Sequence, residues 1–443
     1  MPDTATQAGS AGAPGRWADG HRPAAGRHPR TRRRFRDYAA PFAVLILAYS
    51  GLFKGSPFLS WTPVDLTLLA AVLVLGGVIA VLVRGEIPRG TGVVLAVWTT
   101  FVPAAILHAP TPYGSTKALH LFTLALLSAL GPVFLIRSES RQRIWVLMQI
   151  GLGCVLAAGA AFSPAPGAAH GAVYRLALNG SEPVAAGRAA GVAVVGFLLL
   201  ALAGHRHRGW LLLAGAAVTV PLLLSGSRGP VLAAGVAIAT VGILAPGPGA
   251  RRLARLSLVV SGGLLAWYWL HGQTTGAIGR ISSTLLAGRL EDTSSQARGM
   301  LWAQAWRYVQ GHPWGAGWGG LADLGGSGLL GQVGLQYPHN LLLEVSGEAG
   351  WIAGMAVLVF LCCGLRRLQA GALRPYPEAL FGIAVFFTVN AMISGDVNDN
   401  RTMWAAVAIG WAVSSRDTRG TGPADPGLSA PGDAVLSGLC ARW

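Results

Sequence analysis

Residues 338–367 read "PHNLLLEVSGEAGWIAGMAVLVFLCCGLRR". Pro338 fixes a turn, and His339 and Asn340 stand at the head of an apolar run closed by Arg366 and Arg367. A helix needs about 20 apolar residues to cross a hydrocarbon core, so the run 341–363 reads as a span. It has a polar mouth at one end and a basic edge at the other. Two glutamates, Glu344 and Glu348, lie inside it. Ionisable groups at membrane depth are expensive and mark functional sites by default.

The rest of the chain repeats the pattern. Of 443 residues, 52% are hydrophobic and 12% charged, the composition of a polytopic membrane protein. The fold class expected is all-α, with about twelve transmembrane helices. They fall near 38–53, 64–83, 91–108, 117–136, 144–162, 189–204, 209–225, 229–245, 256–271, 341–363, 378–394 and 403–414. The tails, 1–37 and 415–443, are rich in Gly, Pro and polar residues and read as disordered and cytoplasmic. The net charge of +16 does not imply a nucleic-acid partner, because the basic residues sit in short links between apolar runs. Cys154, Cys362, Cys363 and Cys440 lack metal-site spacing, so neither a zinc site nor a disulfide framework is expected.

Cytoplasmic links carry excess Lys and Arg. With the N-terminus inside and strict alternation, 24 of the 34 basic residues face the cytoplasm, and both termini lie there. His339 then lies at the outer face, at the end of the one long connection, 272–338. That outer loop contains an amphipathic helix signal. "TSSQARGMLWAQAWRYVQGHPWG" starts with Thr293 and Gln296 in capping-box spacing. Trp302, Ala305, Trp306 and Val309 then form an apolar stripe, and Gly311 and Pro313 stop the helix. The stripe suits either the headgroup layer or docking on neighbouring loops.

Arginines at an outer surface beside glycine-rich turns suit phosphate, whose oxygens the guanidinium fork matches bidentately. Arg228, in "LLLSGSRGPVLAAGV", opens a helix whose N-terminal N–H groups also favour an anion. Its competing role is to cap the carbonyls of the preceding helix. Arg298 opens the amphipathic helix, where a cation opposes the dipole; it either holds an anion or snorkels to water. Arg188 heads the sixth span at the same face, while Arg280 and Arg289 read as solvated. Asn340, Glu344, Gly347 and Trp351 share a helical face below His339. That face forms either a polar strip or a helix–helix contact through Gly347, Gly350 and Gly354. "DVNDNR" at 396–401 begins like an EF-hand loop, but Arg401 stands where glycine is obligatory, so calcium is not expected.

Three stretches together resemble the O-antigen ligase/polymerase family of polytopic glycosyltransferases. They are "LSGSRGPVLAAGVAIA" at 224–239, "RGMLWAQAWRYVQGHPWGAGWGG" at 298–320 and "PHNLLLEVSGEAGWIAG" at 338–354. They occur in family order around a large outer loop, and the likeness is best over about 180–360. Family members often carry a Pro-Asn pair after the arginine of the sixth span; "RAAGVAVVG" here lacks it. The resemblance implies a GT-C-like fold in a bacterial plasma membrane. It implies transfer of a glycan from a polyprenyl-pyrophosphate carrier to an acceptor hydroxyl at the outer face. Arg228 and Arg298 would stabilise the departing pyrophosphate and His339 would take the acceptor proton. Arg188, Asn340 and Glu344 would line the substrate site. No cofactor or metal is expected, since arginines replace the metal. The partners implied are a lipid-linked glycan donor, a glycan or glycolipid acceptor and membrane lipids. A repeat-unit polymerase differs only in acceptor. A transporter or flippase is the reading of another class, but no internal repeat supports it.

Overall fold

The computed structural model describes residues 36–53, 65–107, 111–162, 183–205, 207–244, 293–323, 337–371 and 375–412. Every regular element among them is helical. The first half comprises α1 (Arg36–Phe53), α2 (Leu66–Leu82), α3 (Gly90–Thr99), α4 (Val102–Ile106), α5 (Pro112–His120), α6 (Leu126–Leu135) and α7 (Glu139–Phe162). Then come α8 (Pro183–Leu202), α9 (Arg208–Leu224), α10 (Arg228–Leu244), α11 (Thr293–Gly311), α12 (Gly320–Asp323), α13 (Leu341–Ala349), α14 (Trp351–Ala370), α15 (Pro375–Ala391) and α16 (Arg401–Ala412). The ninth expected span, 256–271, residues 1–35 and 413–443, and residues 272–292 and 324–336 of the long loop lie outside the described residues.

Four helices among the described residues are long and apolar enough to cross a membrane: Pro112–Leu135, Glu139–Ala161, Val184–Leu202 and Trp351–Ala370. Shorter apolar helices fill the positions of other expected spans, including Leu66–Leu82, Arg208–Leu224 and Arg228–Leu244. The expected single span 341–363 is corrected: it is two helices, α13 and α14. Gly350 between them has φ 89° and ψ 173°, a region that is essentially glycine-only. α5 and α6 are joined without a break by a π turn, Leu121–Ala125. The Leu121 carbonyl there also accepts from Trp98 Nε1 at 3.0 Å.

Lipid tails are as apolar as leucine, so helices in a membrane associate through close packing and hydrogen bonds. α14 and α16 meet at paired glycines: a Cβ on Gly364 would lie 2.5 Å from Val407, and one on Gly410 would strike the Gly364 carbonyl. Trp411 Nε1 donates across the same contact to the Phe360 carbonyl at 3.3 Å.

The two ends of the bundle differ. At one end Arg137 pairs with Glu86 at 2.6 Å, Arg141 with Asp37 at 3.6 Å, and the Arg143 guanidinium lies 4.4 Å from the Tyr376 ring centroid. These contacts gather the head of α1, the α2–α3 and α6–α7 links and the start of α15, all expected on one side of the membrane. At the other end Arg401 holds Ser50 at 2.8 Å, at the far end of α1. The segments expected around His339 gather there.

Candidate functional site

His339 sits between two fixed residues. The Pro338 carbonyl accepts from Trp302 Nε1 of α11 at 2.8 Å. The Asn340 side chain caps α13, its Oδ1 accepting from Leu343 N at 3.1 Å. Between them His339 has φ 56°, the sole non-glycine residue among the described ones with positive φ. Such a conformation costs on the order of 1–3 kcal/mol and persists where surroundings over-determine it, often at functional sites. The ring packs edge-on against Tyr337, with centroids 4.6 Å apart. Its Nδ1 is buried and makes no hydrogen bond.

α11 brings Arg298 to this turn. Its buried stripe is Leu301, Ala305 and Val309, which packs along α13. Docking on neighbouring chain is thus what the described contacts show. Trp306, expected within the stripe, points away and is 51% exposed. The glycine-rich turn after α11 closes the far end of α13. Ala316 N and Gly317 N donate to the Gly347 and Glu348 carbonyls at 2.8 and 2.9 Å. Trp351 Nε1 returns to the Val309 carbonyl at 2.7 Å. The last carbonyls of a helix need such donors.

Arg298 Nη1 donates to the Ile393 carbonyl at 3.2 Å, so the 392–400 turn joins the site. A Cβ on Gly395 in that turn would lie 2.6 Å from Arg188 Nη2 and 3.3 Å from Asp399 Cβ. Arg188 and Asp399 therefore flank Gly395. Arg228 lies at the adjacent corner. A Cβ on its neighbour Gly229 would lie 3.4 Å from Ile393 Cδ1, and one on Gly187 would lie 3.0 Å from Ser225 Oγ. Two carbonyls near the end of α9 are taken by the turn itself: Ser225 Oγ donates to Leu222 O at 2.7 Å and Gly226 N to Leu223 O at 3.3 Å.

The electrostatics follow from this gathering. Burial, then the Arg298 and Arg188 guanidiniums, lower the His339 pKa to about 4, with Asp399 acting in the opposite direction. That is well below the near-neutral range of a free imidazole, with burial the first cause. Burial pushes the Asp396 carboxyl up to about 6, with Asp399 acting the same way.

Arg188, Arg298 and His339 are thus brought together, with Arg228 at the same corner. Asn340 caps a helix. Glu344 is buried behind the mouth, and it and Glu348 each lie 2.6 Å from Lys117 Nζ. Sequence reasoning did not single out Lys117, and weighed the stretch holding Asn398 and Asp399 only as a calcium loop. The available signals were a lone lysine inside an apolar helix and a polar "GDVNDN" turn between two apolar runs.

Residues 213–359 match the family described as O-antigen ligase. No curated protein matches the chain. The match spans Arg228, Arg298, His339, Asn340 and Glu344, and leaves Arg188, Lys117 and Asp399 outside it. Residues 213–359 are thus similar to the O-antigen ligase family over the stretch that holds Arg228, Arg298 and His339.

Proposed function

We infer that the protein transfers a glycan from a polyprenyl-pyrophosphate carrier to an acceptor hydroxyl at the outer face of a plasma membrane. The observation that carries this reading is that one turn, 392–400, takes Arg298 on its Ile393 carbonyl and Arg188 against Gly395, and that both cations act on the charge of His339. Two permanent cations around a neutral imidazole suit a pyrophosphate leaving group beside a proton acceptor. Arg228, at a helix N-terminus on the same corner, extends the clamp.

The acceptor oxygen bonds to the anomeric carbon. The bond from that carbon to the pyrophosphate oxygen breaks, and its electron pair stays with the leaving pyrophosphate. The arginines stabilise that developing charge, the kind of preorganised term that is usually largest in catalysis. The acceptor proton passes to His339. In the free protein His339 is proton-free at neutral pH but a weak base, because a protonated ring would face two guanidiniums. A bound pyrophosphate offsets those charges and strengthens the base. Asn340 and Glu344 support the mouth from behind rather than from within it.

Space for the substrate is present among the described residues. A mainly apolar groove of about 860 Å³ runs between α10, α14 and α15, from Val236 and Val389 to Arg366 and Gln369 at the basic edge, and suits a polyprenyl chain. A second cavity of about 430 Å³ lies beside Pro338, with Gln304, Arg307 and Tyr308 available to sugar hydroxyls.

The test is transfer by purified protein from a lipid-linked donor. Arg228→Lys keeps the charge and loses the fork, and should lower both donor binding and turnover about tenfold or more. Parental transfer by Arg228→Lys would remove Arg228 from the clamp. Loss of transfer on adding EDTA would overturn the metal-independent reading.

A further inference from the structure

Lys117 is one of two lysines in the chain, and it is buried at the outer end of the bundle. Its Nζ lies 2.6 Å from Glu344 Oε1 and 2.6 Å from Glu348 Oε2. The side chains of all three residues are at most 1% exposed. Both glutamates are on α13, the helix that begins two residues after His339. The backbone of Lys117 makes a second tie, its carbonyl accepting from Asn398 Nδ2 at 2.9 Å. Asn398 belongs to the turn whose Ile393 carbonyl takes Arg298 and whose Gly395 lies against Arg188. One residue on α5 therefore grips both segments that carry the reacting groups: the His339 helix with its side chain, the arginine-holding turn with its carbonyl.

We propose that Lys117 is a positioning residue of the transfer reaction, fixing His339 relative to the arginine clamp through the Lys117–Glu344–Glu348 cluster and the Asn398 bond. The proposal rests on the reading of His339 as the proton acceptor. The physical case has three parts. A residue held at positive φ stays there only if both flanks are anchored, and the cluster anchors the C-terminal flank. Two carboxylates at i and i+4 ion-paired with one ammonium fix both the rotation and the height of a helix. A displacement of about 1 Å in a reacting group costs roughly 10²-fold in rate.

The decisive protein is the full chain bearing Lys117→Met, Glu344→Gln and Glu348→Gln together, which removes every charge at similar volume. Replacing a whole buried ion cluster is tolerated far better than breaking it. Folding is followed by thermal unfolding, donor affinity by binding of lipid-linked glycan, and turnover by transfer. The triple variant is expected to fold, to bind donor within about threefold of the parent, and to turn over at least about tenfold more slowly. A merely structural role would not separate affinity from turnover in that way. Parental turnover in the folded triple variant overturns the proposal. Should the triple variant not accumulate, Asn398→Ala cuts only the carbonyl tie. Slower turnover with unchanged donor affinity then supports the proposal, and parental turnover overturns it. His339→Gln is measured alongside. Near-normal transfer by His339→Gln removes the proton acceptor and the positioning with it. An inactive His339→Gln beside a fully active triple variant removes the positioning alone.

Discussion

Two ion pairs in this protein have the same separation and opposite surroundings. Lys117 meets Glu344 at 2.6 Å with side chains 1% and 0% exposed, and Arg137 meets Glu86 at 2.6 Å with side chains 44% and 51% exposed. The first ties α5 to α13, the helix that follows His339. The second joins two links at the opposite end of the bundle. Distance alone therefore says little about consequence. An exposed pair is screened by water and contributes roughly 0–1 kcal/mol. In a buried cluster, removing one partner strands charge without solvent and costs roughly 3–5 kcal/mol. The end with the buried cluster also holds His339 at positive φ, with Arg298 and Arg188, the arginines of the proposed clamp, on the adjoining turn. The end with exposed pairs carries basic links and no comparable gathering among the described residues.

The sharpest expected difference between the ends is catalytic. His339→Ala should reduce transfer about 10²–10⁴-fold, the usual loss for a positioned general base. Donor binding should be retained, since the arginines remain. Near-normal transfer by that variant would erase the functional contrast. Next in size is stability. Lys117→Met alone leaves Glu344 and Glu348 facing each other, and thermal unfolding should show a loss of roughly 3–5 kcal/mol. A loss below about 1 kcal/mol would mean that the cluster behaves like the exposed pair.

A pH profile sharpens the comparison further. The acid limb of kcat/KM reports the free protein and that of kcat reports the donor complex. His339 is held at about 4 in the free protein, by burial first and then by Arg298 and Arg188. The group must be proton-free to act, so kcat/KM should fall only as pH drops toward about 4. In the donor complex the pyrophosphate offsets the arginines, and the kcat limb should lie at higher pH. Coincident limbs would break the link between donor charge and base strength. The smallest effect belongs to the other end: Arg137→Gln should change stability by less than about 1 kcal/mol and leave turnover unaltered. A several-fold drop in turnover there would show that the two ends are coupled.

Much of this architecture was legible from hydropathy, because a lipid environment demands helices and leaves few alternatives. α7, α8 and α15 lie where apolar runs predicted them. The gathering of basic links around Glu86, Arg137, Arg141 and Tyr376 follows from alternation. His339, Arg228 and Arg298 stood out because costly residues sat beside turn-forming ones. What stayed hidden depends on pairs far apart in sequence. Nothing local to Lys117 announces a partner more than two hundred residues away. The Asn398 bond to its carbonyl is equally non-local. The break at Gly350 was masked by apolar residues on both sides, since hydropathy averages over backbone angle. Asn340 was read as lining the substrate site, whereas its position before Leu341 marks a helix cap.

The π turn at Leu121–Ala125 carries one further consequence. An α-helix rotates ~100° per residue, and a π turn accommodates one residue more than a regular turn without breaking the rod. Everything before Leu121 is thereby offset from everything after Ala125. Downstream, Ala129 and Val133 face the bundle core; upstream, Lys117 faces Glu344 and Glu348. Deleting any one residue from this segment would restore an ordinary helix and swing the ammonium away from both carboxylates, with no charged side chain altered. The charge cluster is in this sense written in the spacing of the chain. Substitutions among those five residues leave the phase of the helix intact, while a single-codon deletion resets it.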